Sequence, residues 1–141
     1  MAKNKSEDNY KYNQVLLIDD DQIDNFINER MVTTTNFAKT VSVYNNAPAA
    51  LIYLEDLLIN SKVLPEVIFL DLNMPVMNGF QFLEEYDKLV KIYPNMALQC
   101  RVIVLSSSIS ETDINRASIN PYVFRYINKP LSEKYLNAIV I

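Results

Sequence analysis

The chain of 141 residues is long enough for one domain and leaves little room for a second. Its 50% hydrophobic and 21% charged residues exclude a wholly disordered chain, and no apolar run approaches the roughly 20 residues that span a bilayer. A net charge of −4 argues against non-specific nucleic-acid binding, and the single cysteine, Cys100, forbids an internal disulfide. The absence of histidine removes His-based general-base catalysis, Ser-His-Asp triads and His-ligated metals.

Residues 1–13 are polar and lack the apolar segment of a secretory signal, which reads as a tail. The lone cysteine fits a reducing, cytoplasmic compartment. Val15–Ile18 is a short, fully apolar run, expected as a buried strand. After Asp21, the spacing of Ile23, Phe26, Ile27 and Met31 predicts a helix packed through that stripe. Val41–Tyr44 follows as a second strand. Ala47, Ala50, Leu51, Leu54, Leu57 and Leu58 share one face of a second helix, with Pro48 tolerated in its first turn. Asn60–Pro65 is a loop and Val67–Leu70 a third strand. A third helix presents Phe80, Leu83, Tyr86, Leu89, Val90 and Tyr93, and Pro94 helps end it. Cys100 precedes the fourth strand, Val102–Leu105, and reads as a packing residue. Glu111–Ser118 forms a weak fourth helix, Val123–Ile127 a fifth strand, and Leu131, Tyr135, Leu136 and Ile139 a short fifth helix. Strands alternating with helices imply a parallel sheet covered on both faces, joined by right-handed connections. The strands lack polar alternation, which suits burial on both sides.

In such a sheet the site lies at the C-terminal strand ends. Polar residues stand there in four places: Asp19, Asp20 and Asp21 after the first strand, Asp71 after the third, Ser106, Ser107 and Ser108 after the fourth, and Lys129 after the fifth. Clustered carboxylates repel one another unless a cation neutralises them, and hard oxygen ligands suit Mg²⁺, with Mn²⁺ as a substitute. A carboxylate such as Asp71 can attack a phosphoryl group and hold it as an acyl phosphate. That chemistry needs positioning and charge neutralisation, to which Lys129 and the Ser106 hydroxyl can contribute. Each residue also has an ordinary alternative. Asp21 and Ser110 fit helix N-caps, Asp71 alone fits a turn, and a lysine before proline fits solvated surface. The four strand-end positions together favour a site.

Four segments then carry a resemblance: LLIDDD at Leu16–Asp21, FLDLNMPVMNGF at Phe69–Phe80, VIVLSSS at Val102–Ser108 and YINKP at Tyr126–Pro130. From about Gln14 to Ile141 the chain resembles the response-regulator receiver family, which implies a receiver domain over residues 14–141 behind a flexible tail of residues 1–13. The implied fold is a flavodoxin-like, doubly wound α/β domain: a five-stranded parallel sheet of order 2-1-3-4-5 with five helices. The resemblance makes Asp71 the phosphoacceptor. Asp20 becomes the direct magnesium ligand, Asp19 its partly water-mediated neighbour, and Asn73 a ligand through its backbone carbonyl. It gives Ser106 and Tyr126 the role of switch residues, and Lys129 the role of phosphoryl-binding lysine, held toward the site by a cis peptide before Pro130. Gly79, the chain's only glycine, falls in the loop after the acceptor, where a special backbone conformation is expected. Ser118-Ile119-Asn120-Pro121 departs from the Gly-Ala pair of typical receivers.

The implied function is a stand-alone response regulator in a two-component phosphorelay. It would receive phosphate from a sensor histidine kinase or a histidine phosphotransfer protein. The readout surface would be the fourth helix, fifth strand and fifth helix, and it would act on a downstream protein rather than on nucleic acid or a membrane. A receiver without an output domain is the expectation. The expectation is a signalling phosphoacceptor rather than an enzyme, with slow self-dephosphorylation by water approaching past Asn73 and Ser108. A phosphorylation-independent, receiver-like binding module is the alternative. A phosphohydrolase is disfavoured, because Asn73 stands where such enzymes place an acid/base aspartate.

Overall fold

Short runs of branched and aliphatic residues become strands wherever both of their faces can be covered. In the computed structural model, which describes residues 9–140, five strands form one parallel sheet in the order β2-β1-β3-β4-β5. They are β1 (Tyr12–Ile18), β2 (Ala38–Tyr44), β3 (Val67–Leu70), β4 (Arg101–Ser106) and β5 (Val123–Asn128). The helices are α1 (Gln22–Thr34), α2 (Ala47–Ile59), α3 (Gly79–Ile92), the single turn α4 (Met96–Gln99), α5 (Glu111–Ser118) and α6 (Glu133–Ala138).

Successive residues of a strand point to opposite faces, so each central strand feeds two cores. Leu16, Ile18, Ile68, Leu70, Val102 and Val104 pack with Leu54 of α2, Phe82, Leu83 and Tyr86 of α3, and Ala117 of α5. Val15, Leu17, Val67, Phe69, Ile103 and Leu105 pack on the other side with Val32 of α1 and Leu136 of α6. The expected order and the doubly wound arrangement are both present. None of the helices among the described residues is long and apolar enough to cross a membrane.

Four expectations change. Among the described residues there are six helices rather than five, because an extra turn after Pro94 seats Met96 in the core. Tyr12 and Asn13, expected in the tail, belong to β1, where the Tyr12 amide donates to the Phe37 carbonyl. Lys11, also expected in the tail, donates its amide to the Asn36 carbonyl, and residues 1–8 of that expected tail lie outside the described residues. Burial on both faces holds for β3 and β4 and for most of β1, but the edge strands β2 and β5 are mostly half-buried or exposed.

The fourth change concerns α1. Ile23, Phe26 and Ile27 point to solvent (70%, 61% and 43% exposed), and the buried face is Asn25, Asn28 and Val32. The Asp21 carboxylate accepts the Ile23 and Asp24 amides, which fixes where the helix starts. The Asn25 side-chain amide donates to the Asp19 carbonyl at 2.6 Å, which turns that face inward. Cys100 is buried as expected, and burial pushes its thiol up to about 12, so it remains a neutral packing group.

Candidate acidic site

The sheet changes direction of winding between β1 and β3, which opens a crevice at their C-terminal ends. The Asp71 amide donates to the Ile18 carbonyl at 3.0 Å, carrying the sheet ladder one residue past β3. Asp71 is thereby set beside the residues that follow β1. Carboxylate oxygens of Asp19, Asp20 and Asp71 all lie within 4.8 Å of one another. Asp19 and Asp71 are buried, while Asp20 faces solvent.

Burial and the neighbouring Asp19 charge push the Asp71 carboxyl up to about 6, against the opposing pull of Lys129. Burial also raises Asp19, although Lys129 and the Asp21 amide pull it down. The Asn73 amide donates to Asp71, and the Asn73 side chain is exposed. Three carboxylates this close form the oxygen-rich, anionic pocket that a small hard cation fits.

Lys129 reaches this pocket from the end of β5, where its amide donates to the Ser106 carbonyl at 3.0 Å. Its ammonium lies 2.6 Å from Asp19 Oδ2, 2.8 Å from Asp24 Oδ2 and 3.6 Å from Asp71 Oδ1. Burial alone would lower its pKa, but the bonds it donates to Asp19 and Asp24 outweigh this and hold it above the ordinary lysine range. The Lys129–Pro130 peptide is cis, as the resemblance implied.

Asp24 escaped the sequence reading. It sits in the first turn of α1, where an acidic residue ordinarily complements the helix dipole. Only the strand order, which brings β5 to the same crevice, reveals that it shares the lysine.

Ser106, the last residue of β4, is fully buried, and its hydroxyl oxygen accepts the Ser108 amide at 3.1 Å. The Ser108 hydroxyl, expected to line the path of a hydrolytic water, donates to Asp113 at 2.9 Å. Tyr126 is half-buried on β5, with its hydroxyl donating to the Ser108 carbonyl at 2.7 Å. The two expected switch residues therefore meet the same β4–α5 loop.

The special backbone conformation expected at Gly79 is not a left-handed one, since its φ is not positive. The requirement is space. A Cβ at Gly79 would lie 2.6 Å from the Asp71 carbonyl oxygen and 2.9 Å from Leu72 Cα. Without it, the Gly79 amide reaches the Leu72 carbonyl at 2.9 Å and starts α3 directly against the Asp71 peptide. Asn78 and Gln81 close a reciprocal capping box at that point. The left-handed residue in this loop is Val76 instead, with φ of 69°.

Residues 15–141 match the family described as response regulator receiver domain. Among curated proteins, the chain is 33% identical over 85 residues to the sensor histidine kinase CheAY of Helicobacter pylori. That match covers 60% of this chain and spans only 10% of the kinase's length. A two-component response regulator structure from Cytophaga hutchinsonii is similar with a TM-score of 0.79 and 31% identity, covering 89% of this chain and 91% of that one. A response regulator receiver protein from Dyadobacter fermentans is similar with a TM-score of 0.74 and 30% identity, covering 87% and 91%.

Proposed function

We propose, from the premise that this chain belongs to the response regulator receiver family of two-component systems, that Asp71 accepts a phosphoryl group from a phosphohistidine on another protein. The observation that carries the reading is the placement of Asp71, buried in the crevice among Asp19, Asp20 and the Lys129 ammonium. The chain has no histidine, so the donor imidazole is not its own.

In the transfer, one Asp71 carboxylate oxygen attacks phosphorus opposite the leaving nitrogen. The O–P bond forms as the P–N bond breaks, and the bonding pair returns to the donor's imidazole nitrogen. Lys129 neutralises charge on the phosphoryl oxygens, and the Ser106 hydroxyl donates to one of them after leaving the Ser108 amide. Asp19, Asp20, Asp71 and the Asn73 carbonyl are the groups that would hold Mg²⁺, which when bound supplies charge neutralisation to the transferring oxygens. The crevice offers no acid/base aspartate at Asn73, so the product is a held acyl phosphate rather than fast turnover.

The donor protein docks on the exposed Ile23, Phe26 and Ile27, within about two helical turns of Asp20, where Phe26 lines a groove with Asp20, Glu29 and Tyr44. The output runs through Ser106 and Tyr126. Both tie the β4–α5 loop, so a change at the acceptor repositions α5, β5 and α6, where Ile119, Phe124 and Tyr135 are exposed. Incubation with acetyl phosphate and Mg²⁺, followed by acid-quenched mass measurement, tests the chemistry. One phosphoryl adduct is expected on the wild type and none on Asp71→Asn. Equal labelling of the variant refutes the assignment.

A further inference from the structure

Lys129 is shared unequally. Its ammonium makes close contacts with Asp19 and Asp24, at 2.6 and 2.8 Å, but stands 3.6 Å from Asp71, beyond hydrogen-bond range. An ammonium has three N–H donors, and two of them are committed away from the acceptor. Asp19 lies among the pocket carboxylates with Asp20 and Asp71, whereas Asp24 does not: it stands on α1 with its side chain about one-third exposed. Its one charged partner at bonding distance among the described residues is Lys129. Nothing about helix formation requires that contact, since Asp21 already caps α1.

We propose that Asp24 is a positioning residue that holds Lys129 off the acceptor in the resting protein, and that transfer of Lys129 from Asp24 to the phosphoryl oxygens is the step that commits the site to its phosphorylated state. The inference rests on the reading of Asp71 as phosphoacceptor. A phosphoryl group presents charged oxygens that accept stronger hydrogen bonds than a neutral group would. Those oxygens compete with Asp24 for one ammonium. A partly exposed pair is weak enough to be exchanged, so Asp24 sets a threshold rather than a block. The carboxylate left behind stays in water on α1.

Three variants test this: Asp24→Ala, which removes the acceptor and suits a helix; Asp24→Glu, which keeps the carboxylate; and Lys129→Gln. With acetyl phosphate and Mg²⁺, Asp24→Ala is expected to raise the initial labelling rate about threefold to fivefold, the range for loss of one partly exposed charge pair. Asp24→Glu should return the rate toward wild type. In the Lys129→Gln background Asp24→Ala should change the rate by less than a factor of about 1.5. An undiminished effect there means that Asp24 acts through its field alone, and overturns the tether. A second readout needs no phosphorylation. In metal-free protein labelled with ¹³C-lysine, the Cε resonance that disappears in Lys129→Gln should move in Asp24→Ala and return in Asp24→Glu. A resonance indifferent to Asp24 overturns the proposal whatever the labelling shows. A resonance that answers to Asp24 in a protein that takes up no phosphoryl group overturns the functional reading and the transfer step with it, and leaves only a resting ion pair.

Discussion

Asp71→Asn should make the metal-free protein more stable at neutral pH and leave it unchanged in acid. The folded protein raises the Asp71 carboxyl from 3.8 to about 6, first by burial and then by the charge on Asp19. A carboxyl raised by folding is favoured when protonated. Stability is therefore fully present below the unfolded value near 3.8 and is lost as pH climbs to about 6, beyond which the loss is constant. A shift of about two units at 1.36 kcal/mol each amounts to about 3 kcal/mol, already net of the attraction from Lys129. Asparagine keeps the shape and has no charge to confine. Urea titrations in EDTA should give a gap between variant and wild type near zero at pH 4, opening through pH 5 and reaching its full size by pH 7. The corresponding difference in Tm is on the order of 5–10 °C for a chain of this size. Added Mg²⁺ should narrow the gap, because it relieves the same repulsion in the wild type. A gap of equal size at pH 4 and pH 7, or a variant no more stable than wild type at pH 7, refutes the argument that burial and the Asp19 charge load the Asp71 carboxylate.

Three further outcomes follow from local geometry. Gly79→Ala should destabilise by about 3 kcal/mol or prevent folding, because the new Cβ meets the Asp71 carbonyl at 2.6 Å and backbone cannot yield as a side chain does; a chemical melt within 0.5 kcal/mol of wild type would contradict this. Val76→Asn should stabilise by about 1 kcal/mol, since a β-branched residue is strained at φ of 69° and asparagine is not; the residue is almost fully exposed, so packing does not confuse the measurement. Phe26→Ala should slow phosphotransfer from a protein donor about tenfold while leaving acetyl phosphate labelling unchanged, as expected of a docking aromatic that takes no part in the chemistry; equal slowing with both donors would place Phe26 elsewhere in the mechanism.

The strands and their ends were legible because they depend on coarse signals, whereas the strand order 2-1-3-4-5 came only from the family resemblance. Uniform apolar runs such as Val67–Leu70 and Val102–Leu105 have no polar face to leave in water, and the polar residues beyond them fall where such sheets expose strand ends. Asp19, Asp20, Asp71 and Lys129 do converge. The rotation of α1 was illegible for a physical reason. The apolar stripe had helical spacing, but Asn25 is buried through a bond to the Asp19 carbonyl, and no periodicity of hydrophobicity encodes that bond. The same limit hid Asp24, whose role depends on a lysine 105 residues away. The short α4 is one turn long, below the length at which periodicity can be recognised. Gly79 was singled out for its rarity, while the reason for it, a clash with the Asp71 peptide, required coordinates.

The edge position of β5 has a consequence for the lysine it delivers. β5 is zipped to the sheet along one side only, to β4, and that ladder already slips in register between Val102 and Ile103. Edge strands open at lower free energy than the strands they flank. The acidic residues, by contrast, follow β1 and β3, each bordered on both sides. The anionic half of the pocket is thus anchored on strands bordered on both sides, and its counter-charge hangs on an edge strand. A brief detachment of β5 would withdraw the ammonium while every carboxylate stayed in place, so phosphoryl-accepting competence should decay with heating ahead of the global melt, in step with amide exchange at Tyr126 to Asn128.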